Sequence, residues 1–219
     1  MALNKLKYNS LNLTPAANKA IGFDSDADAL EATLSGGAMV FIKKLTASDT
    51  STLSFVNGSS DVVLDSTYKE YIFMFRDIHP SGDGAHFSFN FSVDGGSNYN
   101  VTKTSTMYYA RHDESDSATA LNYNTSGDIA QGTGIQTFAR SLGNDNDASA
   151  GGYLHLFNPS STTFVKHYIG TVNYLEANDY TYNTFLAGYG NTTSAINAVQ
   201  FKFDSGNFDQ GSIALYGIN

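Results

Sequence analysis

The chain has 219 residues, a formal net charge of −9 and no cysteine. The missing cysteine excludes structural disulfides, cysteine-based zinc sites and a cysteine nucleophile. The excess of acidic residues disfavours nucleic-acid binding because a negatively charged surface repels phosphates. No apolar run approaches the roughly 20 residues of a membrane helix. We therefore predict no nucleic-acid partner and no membrane insertion, and the N-terminus, which lacks a signal-peptide core, predicts synthesis in a cytoplasm.

Residues 1–37 differ in character from the rest of the chain. They combine scattered apolar residues with Pro15 and an acidic stretch, and they end on Gly36 and Gly37. So few large apolar residues hardly fold alone, and we predict an extended arm, with a short helix over 27–34 as the alternative. The first 20 residues contain lysines and no acid, which is typical of an arm that docks on another chain. The predicted anchoring residues are Lys5, Leu6, Lys7, Tyr8, Leu11 and Leu13.

From residue 38 onward, strand signals recur at short intervals and polar turns separate them. Aromatic residues make up 13% of the chain, and Gly, Ser, Thr, Asn and Asp are abundant, which favours strands over helices. The predicted strands are 39–45, 51–56, 69–78, 85–93, 106–112, 152–157, 162–171, 180–187, 196–203 and 212–218. This spacing predicts an all-β fold over 38–219, an antiparallel β-sandwich of jelly-roll type with about ten strands.

The segment KEYIFMFRDIHPSGDGAHFSFNFSVDGGSNYNV, residues 69–101, is the most regular part of the pattern. Tyr71, Phe73 and Phe75 alternate with other residues before the HPSGDG turn, and aromatic and small polar residues alternate after it. A period of two places one set of side chains on one face of a strand. We predict two aromatic strands that form a hairpin and need another layer to cover them.

Residues 113–150 interrupt this rhythm with mainly polar, glycine-rich sequence that contains two short apolar pieces. Loops of this length are usually functional or ordered by a partner. We therefore predict a recognition surface at this insertion and the strand before it. Its candidate residues are Tyr108, Tyr109, His112, Asp113 and Tyr123. Tyrosines of this kind could form a subunit interface or an aromatic platform for sugars, and we favour the interface.

The sequence contains only weak matches to catalytic and metal-binding motifs. The Asp24–Asp28 run opens like a calcium loop, but Ala29 and Ser35 occupy the positions where an EF-hand needs glycine and glutamate. Asp113, Glu114 and Asp116 offer carboxylates, but a polar loop does not hold the fixed separation that glycoside cleavage requires.

Histidines supply two further hypotheses. A metal held by His79, His86 and His112 is the less favoured reading of these residues, and His155 and His167 are expected to face each other across a ladder. No nucleotide-binding, zincin or serine-hydrolase motif is present. We predict no catalytic residue, no cofactor and no metal.

Three stretches, residues 68–101, 154–167 and 191–218, resemble virion-surface proteins of marine tailed bacteriophages, including phages of cyanobacteria. The resemblance covers about residue 39 to the C-terminus and includes a glycine-rich turn, a short strand and the final L-Y-G-I. It implies a non-enzymatic tail-fibre, spike or appendage component on the virion surface, assembled as a homotrimer. The arm would bind other virion proteins, and a host surface glycan is a further expected partner. A capsid decoration protein and a receptor-recognition module that binds carbohydrate remain the alternatives.

Overall fold

The computed structural model describes residues 20–23, 30–33 and 38–218, and the chain divides into two units at residue 38. In the first unit, β1 (Ala20–Phe23) and β2 (Leu30–Thr33) pair in antiparallel fashion, with Ala20 opposite Thr33. The alternative of a helix over 27–34 is therefore wrong for the described residues of that segment. The predicted anchoring residues Lys5, Leu6, Lys7, Tyr8, Leu11 and Leu13 lie outside the described residues, as do the aspartates of the calcium-like run.

The second unit contains twelve strands and no helix between residues 39 and 218. Their bounds are β3 Met39–Thr46, β4 Thr52–Val56, β5 Glu70–Pro80, β6 Ala85–Ser92, β7 Lys103–Asp113, β8 Thr119–Tyr123, β9 Gln136–Leu142, β10 Ala150–Phe157, β11 Lys166–Glu176, β12 Tyr180–Gly190, β13 Ala198–Phe203 and β14 Phe208–Ile218. Each of the ten predicted strands overlaps an observed strand, and the largest offset is that of 162–171, which is observed as Lys166–Glu176 because the turn after Asn158 continues through residue 165.

Eight of these strands form a jelly roll. One four-stranded layer has the order β3-β14-β5-β10 and the other has the order β4-β13-β6-β9, and every pairing is antiparallel. The chain crosses between the layers as a jelly roll does, with two Greek keys. An isolated bridge between Thr50 and Phe208 and a single pair between Glu176 and Leu142 connect the layers at their margins, so the sandwich is nearly closed. The predicted fold class is confirmed.

The remaining four strands extend the first layer in the order β10-β11-β12-β7-β8. They come from two separate parts of the chain, β7 with β8 and β11 with β12. The two pieces meet where β12 pairs with β7 along its whole length, from Tyr180 opposite Asp113 to Gly190 opposite Lys103. These strands are called the extension below.

The aromatic runs point into the core, as their period of two predicts. Tyr71 and Phe73 of β5 and Phe87, Phe89 and Phe91 of β6 are fully buried. The predicted hairpin is wrong, because β5 pairs with β10 and β14 whereas β6 pairs with β9 and β13. The two strands belong to opposite layers, so each supplies the cover that the other needs.

The segment 113–150 is more structured than the sequence predicts. It contains β8 and β9, and β9 buries Gln136, Phe138 and Leu142. Its alternation is hard to read because Ser141 has a positive φ and the ladder with β6 shifts register twice. One of the two short apolar pieces of the insertion is thus a strand of the jelly roll itself.

Candidate assembly and binding surface

The outward side of β10, β11, β12 and β7 has no formally charged side chain. Side chains alternate along each strand, and one set is buried, including Tyr168, Val172, Leu186 and Met107. The opposite set faces away from the core, and we call it the uncharged face. Its members are Tyr153, His155, Phe157, His167, Ile169, Thr171, Asn173, Leu175, Thr181, Asn183, Phe185, Ala187, Tyr189, Thr104, Thr106, Tyr108, Ala110 and His112.

Register aligns the large side chains of this face in a row across the sheet. Tyr123 lies opposite Tyr108, Tyr108 opposite Phe185, and Thr171 pairs with both Phe185 and Tyr153. The rings of Tyr108 and Phe185 stack at a centroid distance of 4.9 Å. Ile169 is 49% exposed and Phe185 is 37% exposed, so these apolar groups meet solvent in the isolated chain.

A shallow groove of about 420 Å³ lies within the uncharged face. Phe157, His167 and Tyr189 line it together with Ile169 and the threonines of β7. Its volume falls within the usual range of small-ligand sites, roughly 300–1,000 Å³. Rings and hydroxyl groups without a formal charge can accommodate an uncharged polar molecule better than an ion.

The five predicted recognition residues divide between the two sides of β7. Tyr108, His112 and Tyr123 point outward, and the hydroxyl of Tyr123 donates to Asp128 at 2.7 Å. Tyr109 points the other way, with its ring 5.0 Å from that of Tyr182. The predicted residues therefore do not form a single patch.

Asp113 organises a turn. Its carboxylate accepts hydrogen bonds from the hydroxyls of Ser115 and Ser117 and from the amides of Ser117 and Ala118. The Ser115 hydroxyl makes the largest contribution to a pKa of Asp113 well below its ordinary value. Asp116 instead contacts His112 at 3.0 Å. These carboxylates stabilise the turn that connects β7 and β8, so their contacts are structural.

A small polar cleft lies on the side of the extension to which Tyr109 points. Arg140, Tyr174, Glu176 and Tyr182 line it with Tyr109, and its volume is about 190 Å³. Tyr174 is buried, its hydroxyl accepts a hydrogen bond from the amide of Arg140, and burial raises its pKa. The cleft contains one carboxylate, that of Glu176, and so it lacks the paired carboxyls that glycoside cleavage uses.

The histidines of the metal hypothesis have separate partners. His79 contacts the carbonyl of Asp145 at 3.1 Å, and His86 accepts a hydrogen bond from the amide of Ser141 at 2.9 Å. Within the described part of the chain, no group of three or more His, Cys, Asp or Glu side chains is placed to hold a metal ion.

His155 and His167 share the uncharged face but are not cross-strand partners. His155 lies opposite Ile169 and its Nε2 is 2.9 Å from the carboxylate of Glu70, whereas His167 lies opposite Tyr189. The prediction that the two face each other is wrong, because the connection after Pro159 sets a register that separates them.

Two buried lysines are a feature that sequence reasoning missed. Lys103 and Lys166 have no exposed surface, and both lie on the inward side of the extension, opposite the same residue, Gly190. Lys166 donates to the carbonyls of Phe164 and Thr192. Strict alternation along β7 and β11 places both lysines on the inward side. That alternation is the feature of the sequence from which their burial could have been predicted.

Comparisons of the chain with protein-family models, curated proteins and solved structures find no significant match. Among the residues that the structure covers, none belongs to a helix that could cross a membrane.

Proposed function

We propose that this protein is a non-enzymatic structural component of a bacteriophage surface, a tail fibre, spike or appendage subunit that self-associates through the uncharged face. The uncharged face is the observation that carries the proposal. The resemblance to virion-surface proteins supports a location on a phage particle. The jelly roll is compatible with that location, since the same architecture is common in viral capsids and lectins. The predicted arm would attach the subunit to the particle.

Charge supports self-association at this face. The chain carries a net charge of −9, so two copies repel each other over most orientations. The four strands of the uncharged face place no Asp, Glu, Lys or Arg on their outward side. Copies that meet there bury apolar rings without desolvating an ion, which is the costliest event at an interface.

The size of the face is also sufficient. Four strands spaced by about 4.8 Å, each up to eleven residues long, cover roughly 700 Å² before side-chain relief is counted. A standard stable interface buries about 800 Å² per partner. The area of the uncharged face is therefore close to that of a standard interface.

Light scattering on the purified full-length chain tests the proposal. We expect an oligomer at micromolar concentration, a homotrimer as the resemblance implies, and we expect a variant that begins at Ala38 to keep the same number of subunits. Ile169→Asp and Phe185→Asp should each shift the equilibrium toward monomer. Val93→Asp is the matched control, because Val93 is as exposed as Phe185 but follows β6 in the other layer. A monomeric wild type, or variants that associate as the control does, would contradict the proposal.

Carbohydrate binding is the second candidate function, and the groove favours it. Phe157, His167 and Tyr189 offer rings for the apolar faces of a sugar, while threonine hydroxyls supply polar contacts. A glycan array that shows hits for the wild type and none for Tyr189→Ala, with the oligomer mass unchanged, would support this function.

A further inference from the structure

Lys103 and Asn90 form a buried contact between β7 of the extension and β6 of the second layer. Asn90 belongs to β6, Lys103 begins β7, and the two side chains are 3% and 0% exposed. Lys103 Nζ donates to Asn90 Oδ1 at 2.5 Å and to the carbonyl of Val101 at 2.9 Å. Within residues 38–218, no carboxylate makes an ion pair or hydrogen bond with either side chain. The pair therefore differs from an ordinary buried salt bridge.

The distance between the two side chains and the groups around them favour a covalent bond, and we propose that Lys103 and Asn90 join in an intramolecular isopeptide bond. The proposal concerns a modification site and is independent of how copies of the chain associate.

The amine and the carboxamide carbon are close enough to react. A nitrogen 2.5 Å from Oδ1, at the usual angle of about 120°, lies about 3.3 Å from Cγ. Reacting atoms in well-oriented pairs are about 3–3.5 Å apart, and holding them at that distance is equivalent to a high effective concentration of one reactant around the other. Attack requires Nζ to approach Cγ from above the plane of the carboxamide.

The site also favours the nucleophilic form of the lysine. Burial lowers the pKa of Lys103 to about 8, so about half of the amine is neutral at that pH, whereas an ordinary lysine is almost fully protonated. Neutral amine is the form that attacks a carbonyl carbon.

Backbone groups around Asn90 can assist both the attack on its carboxamide carbon and the departure of its nitrogen as ammonia. The amide of Phe91 donates to Oδ1 at 2.9 Å and can stabilise the negative charge that develops there. Asn90 Nδ2 donates to the carbonyls of Tyr99 at 2.6 Å and Thr133 at 3.0 Å. Those carbonyls can accept the N–H groups of the departing ammonia.

The reaction balances without a further reactant. Protonated Lys103 first loses a proton to solvent, and Nζ then attacks Cγ of Asn90 while the carbonyl electron pair moves to Oδ1. A proton passes from Nζ to Nδ2, the carbonyl reforms, and the bond from Cγ to Nδ2 breaks. Ammonia leaves and takes up a proton in solvent as ammonium. Because no carboxyl group in contact assists the proton transfer, we expect slow formation, and faster formation above the Lys103 pKa.

Mass spectrometry of the folded full-length chain, before and after incubation at about pH 9, tests the bond directly. We expect the intact mass to fall by one ammonia. Trypsin normally cuts after Arg76, Lys103 and Arg111, and acylated Lys103 is not a substrate. The linked chain should yield a peptide of residues 77–111, whereas the unlinked chain yields 77–103 and 104–111. Chymotrypsin should then leave the fragments containing Asn90 and Lys103 joined.

Two controls separate this bond from other losses of ammonia. Succinimide formation, for example at Asn57 before Gly58, causes the same mass change but is opened by hydroxylamine, which leaves an isopeptide intact. Lys103→Arg should abolish the linked peptide. Lys166→Arg is the control, since the Lys166 side chain also has no exposed surface but donates only to backbone carbonyls. Recovery of peptides 77–103 and 104–111 at full mass from incubated wild-type protein would overturn the proposal, whatever the variants do.

Discussion

Replacement of Phe87 by alanine should destabilise the fold more than almost any other single change. Phe87 is fully buried in β6. Rings from both layers surround it, with centroid distances of 5.1 Å to Phe75, 5.7 Å to Phe138, 5.8 Å to Phe203, 5.9 Å to Phe208 and 6.1 Å to Phe201. The side chain thus connects five neighbours at the centre of the sandwich.

The expected cost follows from burial and ring contacts. A buried aromatic side chain removes about 150–250 Å² from water, which corresponds to about 4–6 kcal/mol at about 25 cal/mol per Å². Measured losses for Phe→Ala in cores are about 3–5 kcal/mol, and lost ring pairs move this site toward the upper end. We therefore expect the free energy of unfolding to fall by about 4–5 kcal/mol, a large part of a typical total.

Guanidinium chloride unfolding, monitored by tyrosine fluorescence at one fixed protein concentration, measures this loss. The fixed concentration matters because association stabilises the folded state by mass action. Phe164→Ala is the control, since Phe164 is 68% exposed and its loss should change stability by no more than about 0.5 kcal/mol. A loss below about 2 kcal/mol for Phe87→Ala, with an unchanged denaturant slope, would refute the packing described above.

Two further predictions concern the extension and a turn. Gly188→Ala should destabilise the protein by about 1–3 kcal/mol, because a Cβ there would lie 2.5 Å from the backbone oxygen of Thr104 and 2.6 Å from the hydroxyl of buried Tyr168, and thermal unfolding would show this. Asp94 accepts hydrogen bonds from Ser92 and Asn98, with Ser92 the larger cause of a pKa lowered to about 2. Its stabilising effect is complete above the ordinary pKa of 3.8 and is lost as pH falls through about 2, so thermal midpoints of wild type and Asp94→Asn should converge in acid.

Local periodicity was sufficient to predict which aromatic side chains of β5 and β6 form the core. The alternation in β5 and β6 correctly places their aromatic rings inward, and ten strand positions follow from the same signal. Periodicity does not identify the neighbouring strand, because pairing partners are distant in sequence. The pattern therefore could not show that β5 and β6 belong to opposite layers.

The candidate surface was only partly predictable for the same reason. Tyr108 and Tyr123 could be chosen from composition, but their row includes Phe185 and Tyr153, which are far away in the sequence and join it through sheet register. Tyr109 was misplaced because adjacent residues of a strand point to opposite sides. Lys103 was missed because a lysine at a strand start is normally solvated.

The distribution of buried polar groups indicates what the extension is for. The eight jelly-roll strands already enclose the phenylalanine cluster, whereas the inward side of the extension buries Lys103, Ser105, Lys166 and Thr184. Buried polar groups contribute less stability than apolar packing, so these strands are an inefficient way to enlarge a core. Their outward side, by contrast, provides most of the uncharged face. The extension is best explained by what it presents outward, and substitutions on that side should impair association while the jelly roll remains folded.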